Sequence, residues 1–131
     1  MIAAFKKDFQ RESSEPLRLA LAFALVRLGD RAFVDTIVLS LPSRYLGERC
    51  RRYLLEMGRD LLPDLYPYLN DPEPEVRAAL ADVMAQIGDP AAIERLTPLI
   101  SDPSTKVADR ANRAVERLRN IQAIAQGAPT R

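Results

Sequence analysis

LLPDLYPYLNDPEPEVRAALADVMAQIGD, residues 61–89, contains a helix end, a helix start and a second helix end in quick succession. After Pro74, Val76, Leu80, Val83, Met84 and Ile87 recur at steps of four, three, one and three. That spacing is the apolar stripe of an amphipathic helix. The helix is expected to stop at Gly88, since glycine takes the left-handed C′ conformation without a Cβ penalty. Asp89-Pro90 then starts another helix: aspartate accepts from orphan N–H groups, and proline fits the first turn, where its missing donor costs nothing. Ile93, Leu96, Leu99 and Ile100 continue the pattern until Asp102-Pro103 punctuates it again.

Working outward, the same signals recur with a fixed period. Leu28-Gly29-Asp30, Met57-Gly58-Arg59-Asp60 and Ile87-Gly88-Asp89 lie 29 to 30 residues apart. The first apolar positions of successive helices, Leu17, Leu46, Val76 and Val107, keep nearly that interval, as do Leu25, Leu54, Met84 and Val115. A period of this length predicts tandem helical hairpins, each unable to bury its apolar face alone. Hairpins are expected over roughly 1–29, 30–58, 59–88 and 89–122, in a single domain over 1–125 with a disordered tail at 126–131. First-row helices fall at 1–11, 31–41, 61–69 and 90–101, and second-row helices at 15–28, 44–57, 74–87 and 104–122. Strands are not expected: apolar residues do not alternate, and Asn-Gly and Asp-Gly turns do not occur.

These residues resemble HEAT repeats, in the short form also seen in bilin-lyase-like proteins. The likeness is carried by residues 61–89, where a leucine- and proline-bearing helix, an Asp turn and a helix opening on Val-Arg with alanines close on Ile-Gly. The flanking units match more loosely. The resemblance implies an all-α, right-handed α-solenoid of about four stacked hairpins. It also implies a polar ladder between repeats, formed by Asp71 and Arg77 and mimicked by Glu12 and Arg18. Gly47 and Ala108 occupy the arginine column in the other two repeats and interrupt the ladder.

Composition limits the functions open to such a chain. With 131 residues, 47% hydrophobic and 28% charged, it is one soluble domain's worth of sequence. A balance of 19 basic against 18 acidic residues gives no overall field toward nucleic acid or an anionic membrane. The most apolar run, residues 17–28, is interrupted by Arg18 and Arg27 and too short to span a bilayer. The amino terminus lacks the uninterrupted apolar region of a secretory signal. A single cysteine, Cys50, rules out an internal disulfide framework and agrees with a reducing compartment; a cytoplasmic location is expected.

Catalytic chemistry finds no local motif. Histidine is absent, and with it the commonest general base and zinc ligand; Gly-rich phosphate loops are absent as well. Cys50 shares a column with Leu21, Leu80 and Ala111, so it reads as a buried thiol and not as a nucleophile. No catalytic residue, metal or cofactor is therefore assigned, and the chain is expected not to be an enzyme.

Binding is the remaining expectation. On the second-row helices, the positions three, six and ten after the first apolar residue stay off the stripe. They read Ala20, Phe23 and Arg27; Arg49, Arg52 and Glu56; Ala79, Asp82 and Gln86; Arg110, Arg113 and Arg117. By resemblance these helices line the concave surface. Arg27, Arg49, Arg52, Glu56, Asp82, Gln86, Arg110, Arg113 and Arg117 are the candidate partner-binding set, on a scaffold or adaptor. Arginine pairs bidentately with carboxylate or phosphate, which suits an acidic protein or peptide. A nucleic-acid backbone is the weaker alternative, because stacking aromatics are lacking. The same arginines also suit plain solvated helix faces, with Arg52 and Glu56 as an i,i+4 pair. A bilin lyase or its accessory subunit is the alternative implied by the resemblance. Leu19, Phe23 and Val26 make the first second-row helix apolar nearly all round; it therefore requires cover, either from the Ile2, Phe5 and Phe9 helix together with another copy through residues 1–40, or from preceding repeats.

Overall fold

The computed structural model describes residues 2–11 and 14–127, and every regular element among them is helical. The α-helices are α1 (Ile2–Arg11), α2 (Glu15–Arg27), α3 (Val34–Leu39), α4 (Gly47–Met57), α5 (Leu62–Leu65), α6 (Pro74–Ile87), α7 (Ile93–Leu96) and α8 (Thr105–Ala125). The chain forms two compact units, Met1–Met57 and Gly58–Arg131. Each contains two hairpins of the expected kind.

In the second unit the first-row elements depart from the expected continuous helices, and proline is the reason. In the second unit, α5 and α7 are single α-turns flanked by 3-10 segments at 66–70 and 97–101. Pro67 and Pro98 lack the N–H that would bond four residues back, so the chain tightens to the 3-10 pattern after each α-turn. In the first unit, α4 starts at Gly47 and not at residue 44. The Ser43 hydroxyl accepts from the N–H groups of Tyr45 and Leu46 at 3.3 and 3.1 Å, holding residues 44–46 in a turn before the helix can begin.

The Asp-Pro corners divide their work. Asp89 accepts from Ala91 N at 3.0 Å and caps the 3-10 turn at 90–92, as expected. Asp71 and Asp102 instead close local turns, accepting from Glu73 N at 3.0 Å and Ser104 N at 2.9 Å. Helix α8 is capped by the Ser104 hydroxyl, which accepts from Val107 N. Gly88 closes α6 at φ +77°, in the left-handed region, with its N–H on Met84 O at 3.2 Å. This is the C′ glycine that the sequence demands.

Burial follows the predicted columns. The fully buried side chains are apolar throughout. Leu19, Leu25 and Val26 of α2 pack with Val34, Ile37 and Val38 of α3 and with Cys50 and Leu54 of α4 in the first unit. Leu61, Leu65, Leu80, Met84, Leu96, Val107, Val115 and Leu118 form the core of the second. Apolar cover of this extent, at roughly 25 cal/mol per Å² removed from water, is what holds such short helices in place. Leu19 and Val26, expected to need outside cover, are only 1% exposed. Leu17 is the exception in its column at 54% exposed.

Candidate partner-binding face on the second-row helices

Each candidate arginine projects from a second-row helix because its position avoids the apolar stripe, and the charges nearby decide what it does there. In the second unit, Arg110 of α8 forms a salt bridge with Asp82 of α6. Arg117 of α8 donates from Nε to Ala85 O of α6 at 3.0 Å. Lys106 of α8 meets Glu75 of α6 at 2.7 Å. These pairs lie 28, 32 and 31 residues apart, one repeat period each. They are rungs between neighbouring second-row helices. Arg113 pairs along its own helix with Asp109 at 3.1 Å, and Gln86 is exposed.

The first unit is arranged differently. Phe23 of α2 and Tyr53 of α4 stack with ring centroids 4.2 Å apart and planes 11° apart. Beside them Arg27 reaches Glu56 at 3.6 Å and lies 5.6 Å from the Phe23 ring centroid. Arg49 and Arg52 share a face of α4 with Tyr53 and Glu56; both are exposed, and neither forms an ion pair among the described residues. Arg52 and Glu56 do not form the i,i+4 pair, since Glu56 faces Arg27 instead. The candidate arginines thus separate into Arg27, Arg110, Arg113 and Arg117, which already have acceptors, and Arg49 and Arg52, which have no ion-pair partner among the described residues.

The expected ladder has a different connectivity. Arg77 donates from Nε and Nη2 to the two carboxylate oxygens of Asp102, both at 2.9 Å, and from Nη1 to Asp71 O at 2.7 Å and Pro72 O at 3.2 Å. Asp71 contributes its carbonyl, and the carboxylate comes from the turn of the next repeat. Hydrogen bonding to Arg77 holds the Asp102 carboxyl below the usual carboxylate range, and the same bonds hold the Arg77 guanidinium above its ordinary value. Glu12 lies outside the described residues; Arg18 stacks over Phe9, 4.3 Å from its centroid. Gly47 interrupts the column for a steric reason: a Cβ there would lie 2.5 Å from Leu41 O.

Cys50 is fully buried, and burial pushes its thiol up to about 11, against a reactive role. Reading the sequence also missed a groove of about 510 Å³ in the second unit, where Arg95 lies 4.9 Å over the Tyr66 ring beside Pro98 and Pro103. A lone Arg and Tyr 29 residues apart carry little signal for such a contact. Among the described residues, no three His, Cys, Asp or Glu side chains cluster as metal ligands, and no helix is long and apolar enough to cross a membrane.

Residues 37–119 match the family model described as HEAT repeats, and the chain belongs to the HEAT-repeat family, whose members stack helical hairpins into solenoids. It is also similar to a deoxyhypusine hydroxylase from Gallus gallus, at 33% identity over 112 residues, 82% of this chain. The chain spans 38% of that protein's length. This relative overturns the expectation that the chain is not an enzyme, because a protein named for its hydroxylation shares these repeats. The expectation rested on missing local motifs, whereas a repeat protein can draw its reactive groups from several repeats at long sequence spacing.

Proposed function

We propose that the chain is a protein-binding HEAT-repeat module whose partner, of acidic character, docks on second-row helices. The observation that supports this most directly is the exposure of Arg49 and Arg52 with no ion-pair partner among the described residues. Two exposed guanidinium groups one turn apart on a helix suit bidentate carboxylate recognition. Photocrosslinkers placed at Arg52, Gln86 and Arg113 test this against controls at the exposed first-row residues Asp35 and Glu94. Discrete protein adducts from the second row alone are expected. Adducts from both rows equally, or from neither, overturn the reading.

A second reading is favoured by the Gallus gallus relative: hydroxylation of deoxyhypusine, or participation in that reaction. Incubation of the full chain with deoxyhypusine, dioxygen and a two-electron donor, one oxygen atom entering the substrate and the other leaving as water, followed by mass spectrometry, tests it. Failure to add oxygen removes this reading.

A further inference from the structure

The two units offer an incoming anion very different surfaces. On α6 and α8 the cations Lys106, Arg110 and Arg113 are each answered by a carboxylate, and Arg117 by a carbonyl. A partner competing for them must break a bond already made. On α2 and α4 Arg27 is answered by Glu56 and Arg51 by Glu48, whereas Arg49 and Arg52 form no ion pair among the described residues. Arg49 and Arg52 remain, three residues apart on one helix and so about 5–6 Å apart at Cβ. Next to them the Phe23–Tyr53 stack keeps part of both rings in solvent, and a shallow depression runs over Arg52, Tyr53, Leu55 and Glu56.

We propose that this face of α2 and α4 docks an acidic peptide segment of a partner protein, two carboxylates pairing with Arg49 and Arg52 and a neighbouring apolar side chain resting on Tyr53 and Leu55. The proposal rests on the protein-binding reading above and narrows it to one unit. Charge complementarity sets the occupant. Two positive charges with no ion-pair partner among the described residues match two carboxylates. The rings favour an apolar contact over base stacking, because each already has one face against the other at 4.2 Å. Compared with the paired arginines of α8, the free pair also costs less to engage, since no internal salt bridge is lost.

The test uses a fluorescein-labelled peptide with glutamates flanking one leucine, its glutamine counterpart, and a single-stranded oligodeoxynucleotide of equal charge. Binding of the glutamate peptide to the full chain is expected to weaken roughly tenfold in Arg49→Glu/Arg52→Glu, and several-fold with rising salt in the unaltered chain. Tyr53→Ala should weaken the leucine-bearing peptide more than one with glycine in its place. Lys7→Glu, at an exposed position on first-row α1, should have little effect. Equal binding of the glutamine peptide, or tighter binding of the oligodeoxynucleotide through the same arginines, overturns the proposal. So does an unchanged affinity in the double variant with unaltered circular dichroism. Photocrosslinked adducts confined to Gln86 and Arg113 would preserve the protein-binding reading while removing this placement of it.

Discussion

Arg77 and Asp102 meet through two parallel hydrogen bonds of 2.9 Å, with their side chains only 13% and 9% exposed. Arg77 simultaneously holds the carbonyls of Asp71 and Pro72, so one guanidinium ties the turn of its own repeat to the turn of the next. A planar fork with five donors can do this; an ammonium cannot. Arg77→Ala is expected to destabilise the chain by about 3 kcal/mol, because Asp102 is left buried and unpaired. Arg77→Lys should recover only part of that loss. Urea unfolding followed by circular dichroism measures both.

The same pair sets an acid response. The Asp102 carboxyl is lowered in the folded state, so its contribution is present above the unfolded carboxylate value of about 3.9 and is lost as pH falls through the lower folded value. Stability should therefore decline below about pH 4 more steeply in the unaltered chain than in Asp102→Asn. Thermal melts across that range would show parallel curves if Asp102 were not the group responsible.

Cys50 gives the opposite sign. Burial raises its thiol to about 11, above the unfolded value of about 8.5, so its contribution is intact at neutral pH and is lost as pH climbs from the unfolded value through the folded one. Thiol labelling under native conditions at neutral pH should be slow and should accelerate with denaturant as the core opens. Immediate stoichiometric labelling would show that the sulfur is reached without unfolding.

Removing one side of a surface rung should affect charge more than stability. Asp82→Ala is expected to cost about 0.5 kcal/mol, since Asp82 and Arg110 are a third exposed. It leaves Arg110 without its carboxylate, so the second unit gains an available cation. Affinity for the glutamate peptide should rise in this variant, while Arg110→Ala should leave it unchanged. Anisotropy titrations at low salt distinguish the two.

Much of this arrangement was legible in the periodicity of the apolar residues. Leu25, Leu54, Met84 and Val115 were one column and are all buried, because a two-helix unit repeated at constant length must return the same position to the core. What periodicity hid was polar. The salt bridge of Asp82 with Arg110 and the contact of Arg117 with Ala85 O depend on which helices become neighbours, and opposite charges one period apart were the available signal. The short 3-10 pieces were readable from Pro67 and Pro98, given weight as helix breakers as well as helix starters. The likeness to a protein named as a hydroxylase was illegible for a different reason: it is spread over 112 residues at 33% identity, and no local motif carries it.

Gly47 has one more consequence, for modularity. Its α-carbon sits so near Leu41 O that any side chain there would collide, and arginine, the residue at the matching position of the third repeat, would collide as surely as alanine. The tandem copies are therefore not interchangeable cassettes. Changing residue 47 alone to arginine would drive the side chain into Leu41 O, whereas the whole stretch 59–88 carries its own corner at Asp71 and Pro72, so each brick must be moved together with its own hinge.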